Sequence, residues 1–270
     1  MLKIDDKTKT SLIETALKLA DVAREATLRH FRVSGLAADN KDSEGFDPVT
    51  VADREAEAAM RKVLAEMRPD DGIIGEEFGS TSGTSGLTWV LDPVDGTRGF
   101  LSGTPTWGVL IAVGDETGPC LGVVDQPYIG ERFVGGLGQA YMTGPLGRRD
   151  LQTMSARPLS EAILFTTFPE VGSAAEGAAF HALSKQVRLT RYGMDCYAYA
   201  LVASGQVDLV VEAGLNAYDI QGPLAVIEAA GGVVTDWKGG PAHQGGRVIA
   251  AANAEIHAAA LEILSQAQED

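Results

Sequence analysis

The pattern of this chain predicts an α/β fold in which helices are layered on sheet. Two observations lead there. In the second half short apolar strands alternate with helix-length segments, and in the first half two amphipathic helices precede a run of closely spaced strands. A third is composition: 270 residues, 45% hydrophobic and 22% charged, suit a globular chain with a substantial buried core.

The first helix is predicted over 11–31, where Ile13, Leu17, Ala20, Leu28 and Phe31 recur at three- and four-residue steps and Lys18, Arg24 and Glu25 face solvent. A polar, glycine-containing loop spans 40–48. Thr50 and Asp53 then form a capping-box pair that opens a second helix through Met67, with Ala56, Met60, Val63 and Met67 as its inner stripe. A turn at 69–72 leads to an Ile73-Ile74 strand. Residues 80–88 read as a Ser/Thr/Gly loop with nothing to anchor it, and 89–91 as a short buried strand ended by Asp92-Pro93. Strands at 109–113, 121–124 and 132–134 lie close enough in sequence for an antiparallel sheet.

The second half reads as strand 163–166, helix 175–185, strand 187–190, helix 195–204, strand 207–212, helix 219–230, strand 233–235 and a last helix over 254–267. No composition break marks a linker and no repeat is visible. The expectation is one domain over 1–270, with an N-terminal half of about 1–145 and a C-terminal half of about 146–270.

Charge and cysteine content exclude several chemistries. With 22 basic and 37 acidic side chains the net charge is −15, so no basic face for nucleic acid is expected. Cys120 and Cys196 lack CxxC spacing and further partners, which argues against a disulfide framework and a zinc–thiolate site. Neither begins the thiolate phosphatase pattern that ends in arginine. His30, His181, His243 and His257 are scattered singly and read as surface or packing residues. The opening segment carries charges within its apolar periodicity and no run of 18 apolar residues occurs, so no membrane span is expected and the simplest placement is cytoplasmic.

Three segments gather carboxylates at the ends of apolar strands or the starts of helices. In Asp92-Pro93-Val94-Asp95-Gly96-Thr97 two acids three apart end a strand, with Pro93 fixing the turn and Gly96 allowing close approach of backbone. Such a pair repels itself unless a cation lies between, and a hard divalent ion answers that need, although turn capping would also account for it. Gly96 and Thr97 fall where a helix begins, so their N–H groups are candidates for holding an anion. The spacing is not the Asp-x-Asp of aspartyl-phosphate enzymes, and no GxxxxGK[ST] loop is present. The second segment is Gly75-Glu76-Glu77. In the third, Asp219 opens a helix ending at Ala230-Gly231-Gly232; alone, these acids would pass for a solvated turn and an N-cap.

Together the three segments resemble the inositol monophosphatase superfamily of Mg²⁺-dependent, lithium-sensitive phosphatases, over about Leu12 to Leu264. The resemblance implies a five-layer αβαβα sandwich, usually a homodimer, acting on a small-molecule phosphate ester. It implies a first Mg²⁺ on Glu76, Asp92 and the Val94 carbonyl, a second on Asp92, Asp95 and Asp219, and a third, weaker ion near Glu76, with Mn²⁺ as an alternative metal. Thr97 and Asp53 match the pair that orients the attacking water, with Glu76 beside them. Gly96 and Thr97 match the phosphate-binding positions, and Lys41 a lysine in a loop over the site.

Within that superfamily the chain looks most like the histidinol-phosphate phosphatases of histidine biosynthesis. The segments that carry this likeness are 46–50, 104–108, Arg191 to Ala200 and 211–214. A substrate with an ammonium and an imidazole calls for acids beyond the metals. Asp195 and Glu212 are the candidates, with Arg191 in the same segment; helix capping and an exposed strand end are their alternatives. Tyr192, Tyr197 and Tyr199 are read as core or dimer residues rather than a stacking set. Tyr218 and the pair Gly222-Pro223 depart from the family pattern, Pro223 being placed in a first helical turn. An inositol-1-phosphate or broad sugar-phosphate phosphatase is the alternative function, and a non-catalytic binding relative a third.

Overall fold

A computed structural model describes residues 4–34, 38–40 and 48–266. The segments carrying Lys41, Phe46 and Asp47 lie outside them. Helix α1 (Asp6–Leu28) opens the chain, followed by the strand pair β1 (Ala38–Asn40) and β2 (Pro48–Thr50) and by helix α2 (Val51–Met67). Next come β3 (Gly72–Gly75), β4 (Gly79–Thr81), β5 (Thr88–Asp95), helix α3 (Thr97–Ser102), and β6 (Gly108–Asp115). The meander continues through β7 (Gly118–Gln126), β8 (Glu131–Gly136), β9 (Gln139–Gly144) and β10 (Gly147–Asp150). The remainder is β11 (Ile163–Thr166), α4 (Ala174–Ser184), β12 (Leu189–Tyr192), α5 (Tyr197–Ala203), β13 (Leu209–Leu215), α6 (Ala217–Ala229), β14 (Val233–Asp236), β15 (Gly246–Ala251) and α7 (Ala254–Leu264).

These elements form five layers. An eight-stranded sheet runs β10-β9-β8-β7-β6-β5-β3-β4, and a five-stranded sheet runs β12-β11-β13-β15-β14. Helices α1 and α2 cover the outer face of the first sheet, α5 and α6 fill the space between the sheets, and α4 and α7 cover the outer face of the second. Each interface has its own apolar core. Leu12, Leu19, Met60 and Leu91 lie in the first, Phe133, Val202 and Ile227 in the second, and Phe180, Leu209 and Trp237 in the third. A buried leucine such as Leu12 or Leu91 contributes about 1.5–3 kcal/mol relative to exposure, so the layers are held by many small terms. No helix of the described residues is long and apolar enough to cross a membrane.

Several sequence expectations need correction. The 80–88 segment is anchored: Gly79–Thr81 pairs antiparallel with β3, and Ser85 Oγ donates to Asp71 Oδ1 at 2.6 Å. Asp71 also receives Trp89 Nε1 at 2.9 Å and pairs with Arg68, tying that loop to the core. Strands β9, β10 and β15 were not expected from pattern, because the glycines and charges of β10 and the polar start of β15 mask their pairing. Pro223 lies in the second turn of α6, not the first, and gives no N–H to the Asp219 carbonyl one turn back. Cys120 and Cys196 are free and buried.

Glycines let α6 approach the large sheet. A Cβ on Gly122 would stand 2.2 Å from the Gly222 carbonyl oxygen, and one on Gly222 would stand 3.2 Å from the carbonyls of Ile111 and Val123. That contact brings the start of α6, with Asp219, toward the end of β5. Gly122→Ala is therefore expected to cost about 1–3 kcal/mol in chemical denaturation, because backbone cannot yield as a side chain does. An unchanged unfolding midpoint would contradict this packing.

Candidate active site

The site is built around the end of β5. Asp92 faces Leu110 and Asp95 faces Gly108 on β6, so three residue steps on one strand match two on the other. The extra residue is a bulge, and it undoes the alternation that would send acids three apart to opposite faces. Both therefore border one cleft of about 460 Å³. After Asp95 the chain turns at Gly96, whose φ of +84° favours glycine. A Cβ there would also lie 2.7 Å from the Cβ of Asp195, so glycine is required twice over.

The second acidic turn rests on a residue that pattern reading did not single out. Glu57, buried on α2, accepts the backbone N–H of Glu77 at 2.7 Å and of Phe78 at 3.2 Å, and pairs with Arg61 at 2.7 Å. A Cβ on Gly75 would collide with this carboxylate at 2.0 Å. Glu57 thus sets the turn that presents Glu76 and Glu77. A lone glutamate within a helix carries no sequence signal of such a role; the one local cue is Gly75 ahead of the two acids.

Asp53 is buried at the start of α2. Its Oδ2 accepts Thr50 N at 2.9 Å and Thr50 Oγ at 2.5 Å, which confirms the capping box. Its Oδ1 lies 3.4 Å from Thr97 Oγ, and Thr97 Oγ also reaches the Val94 carbonyl at 3.1 Å. Asp219 sits at the start of α6, where Oδ2 accepts Asn216 N at 2.6 Å.

Two sets of acids emerge. Oxygens of Asp92, Asp95 and Asp219 all lie within 4.8 Å of one another, as do oxygens of Asp53, Glu76 and Glu77. Glu77 was not among the expected ligands, and Asp53 joins an ion-sized cluster as well as the Thr97 contact. Loss of hydration first, and then the charges of Glu76, Asp95 and Asp219, hold the Asp92 carboxyl well above the usual carboxylate range. Asp95 is pushed up by the same loss of hydration and by Asp219 and Asp195, against the lowering effect of the Cys196 N–H at 2.7 Å. An all-oxygen donor set this compact fits a hard divalent cation.

The C-terminal half also lines this cleft. Glu212 on β13 accepts Thr166 Oγ at 3.1 Å, Thr167 N at 2.7 Å and Thr167 Oγ at 2.9 Å. Burial nevertheless pushes its carboxyl up to about 7. Asp195 adopts a left-handed backbone, φ +45°, and accepts Thr106 Oγ at 2.6 Å rather than capping α5. Burial raises its pKa as well. Such a conformation costs roughly 1–3 kcal/mol in a non-glycine residue and is kept where surroundings enforce it. Tyr218 borders the cleft, and Tyr199 places a buried hydroxyl there with no hydrogen-bond partner among the described residues. Tyr197 donates to Glu131 at 2.6 Å, a packing role. Arg191 is not brought to the site: it lies exposed on the edge strand β12, outside the cleft lining.

Comparison with known proteins follows this geometry. The profile of the inositol monophosphatase family matches residues 8–269. The chain is 40% identical over 257 residues to the bifunctional phosphatase IMPL2, chloroplastic, of Arabidopsis thaliana, covering 91% of this chain and 72% of that protein. It is 35% identical over 239 residues to the histidinol-phosphatase of Mycobacterium tuberculosis, covering 87% and 91%. Among solved structures, an inositol monophosphatase from Zymomonas mobilis superposes with a TM-score of 0.83 at 38% identity, covering 94% of this chain and 97% of that one.

The electrostatics generate a test. Excess Mg²⁺ at about a hundredfold over its Kd is expected to stabilise the metal-free protein by roughly 2–3 kcal/mol in calorimetry. Asp95→Asn keeps an acceptor for Cys196 N but removes one repelling charge. It should melt higher than the metal-free parent and gain little from Mg²⁺. Equal gains in both proteins would count against the cluster as a cation site.

Proposed function

This chain belongs to the inositol monophosphatase family and is a phosphoric monoester hydrolase, and we propose that its substrate is L-histidinol phosphate, cleaved to L-histidinol and phosphate with Mg²⁺. The observation that carries the substrate choice is that Asp195, packed against the Gly96 turn, and Glu212 on β13 line the same cleft as Asp92, Asp95 and Asp219. Among relatives, the named histidinol-phosphatase of Mycobacterium tuberculosis supports it. A neutral polyol would be served as well by uncharged donors and acceptors.

In the proposed site Glu76, Asp92 and the Val94 carbonyl would hold one Mg²⁺, and Asp92, Asp95 and Asp219 would hold another. Glu77 and Asp53 complete a place for a weaker third ion beside Glu76. When bound, the divalent cations supply Lewis acidity, acidifying a water and neutralising charge on the phosphate. Thr97 Oγ gives its hydrogen toward Asp53 and accepts one from the attacking water, which aims that water's lone pair at phosphorus. The N–H groups of Gly96 and Thr97 hold the phosphate. Water oxygen bonds to phosphorus as the ester P–O bond breaks; one of the water's protons ends on the departing alkoxide oxygen, giving the alcohol, and the other stays with the inorganic phosphate. Asp195 and Glu212 orient the cationic organic part.

The same reading places the chain as one unit over 1–270, working in the cytoplasm as a lithium-sensitive homodimer. An inositol-1-phosphate or broad sugar-phosphate phosphatase is the competing reading, since the solved Zymomonas mobilis structure is of an inositol monophosphatase.

Phosphate release with Mg²⁺ from histidinol phosphate, inositol 1-phosphate and fructose 1,6-bisphosphate separates the readings. A clear preference for the first is expected, and a preference for inositol 1-phosphate would transfer the assignment. Asp95→Asn should lower turnover by at least about 100-fold, since even outer partners of metal ligands cost about 10–100-fold.

Glu212 gives a pH test with a definite sign. Its carboxyl is held up to about 7, so it is neutral below that value and becomes an anion above it. The KM advantage of the parent over Glu212→Gln for histidinol phosphate should therefore grow as pH rises from about 6 to 8, reaching about tenfold, the worth of a charge-assisted hydrogen bond. Inositol 1-phosphate should show no such divergence. A parent-to-variant ratio flat in pH would remove Glu212 from substrate recognition.

A further inference from the structure

Phe168 is out of place by ordinary rules. Its ring is 46% exposed, and among the exposed large apolar side chains of the described residues it is the one that borders the acidic cleft. The ring is backed on one side by the Arg98 guanidinium, 4.9 Å from its centroid. Pro169 follows it and narrows the backbone choices of Phe168 itself. Immediately before it, Thr166 and Thr167 grip the Glu212 carboxylate. One short stretch at the end of β11 therefore fixes both the acid and the aromatic ring on the same rim.

An apolar ring held in water beside an anion is complementary to a flat, polarisable group joined to a cation. Its face stacks with a planar ring, whereas the hydroxyls of a puckered polyol would find no partner on it. We propose that Phe168 is a specificity-determining residue, a wall on which the planar nitrogen-containing ring of the substrate stacks while Glu212 takes the neighbouring ammonium. This rests on the histidinol phosphate reading and extends it to a residue outside the acidic clusters.

The test uses the Mg²⁺-loaded enzyme with histidinol phosphate, O-phosphoethanolamine as an ammonium ester without a ring, and inositol 1-phosphate. Phe168→Leu should raise KM for histidinol phosphate about three- to tenfold, the usual worth of an aromatic pair, with kcat within twofold. The two esters without an aromatic ring should keep their KM values, and Phe168→Trp should restore the parent value. The residue is exposed, so an unchanged melting temperature is expected and confirms folding. If the parent prefers histidinol phosphate but Phe168→Leu leaves its KM alone, or shifts all three esters equally, this inference fails and the substrate reading stands. If the parent itself prefers inositol 1-phosphate, the substrate reading fails and takes the stacking wall with it.

Discussion

Carboxylates drawn out of water and into contact repel one another, and the architecture around the end of β5 answers to that constraint. Asp92, Asp95 and Asp219 converge from a bulged strand and a helix start, with Glu76, Glu77 and Asp53 alongside. Nothing apolar gains from this arrangement. Backbone donors hold three of these acids in place: Cys196 N for Asp95, Asn216 N for Asp219 and Thr50 N for Asp53. Held this way, the acids keep a standing demand for positive charge, which is the physical basis for reading the cleft as a cation site.

The two halves of the chain depend on each other at this point. The Asp92–Thr97 turn belongs to the large sheet, yet the space beside its Gly96 is filled by Asp195 and its second acid is held by Cys196, both from the segment that precedes α5. Thr106 closes the loop by donating to Asp195. The proposed division of labour follows: the N-terminal half supplies most of the anionic cage, and the C-terminal half supplies Asp219 and the walls around the organic part of the ester.

Much of this was legible in the sequence because it is local. The capping box at Thr50 and Asp53, the strand Ile163–Thr166 and the helix opened near Asp219 each carry their own periodicity or cap. The Asp92–Thr97 turn, which capping alone would explain, disclosed its chemistry only in company with Glu76, Asp219 and the family resemblance they carry together. What stayed hidden is non-local. Glu57 reads as one more helix residue until the turn it supports is seen against it. The 80–88 loop looked unanchored because Asp71, its anchor, lies in what reads as a plain turn. Arg191 sits in a segment with the right neighbours, but its place on the edge strand β12 keeps it from the cleft.

A crystal soaked in Mn²⁺ and measured for anomalous scattering tests the central claim directly. The account requires a peak among Asp92, Asp95 and Asp219, within direct coordination distance of their carboxylate oxygens. Side chains splayed apart with no peak among them would contradict it.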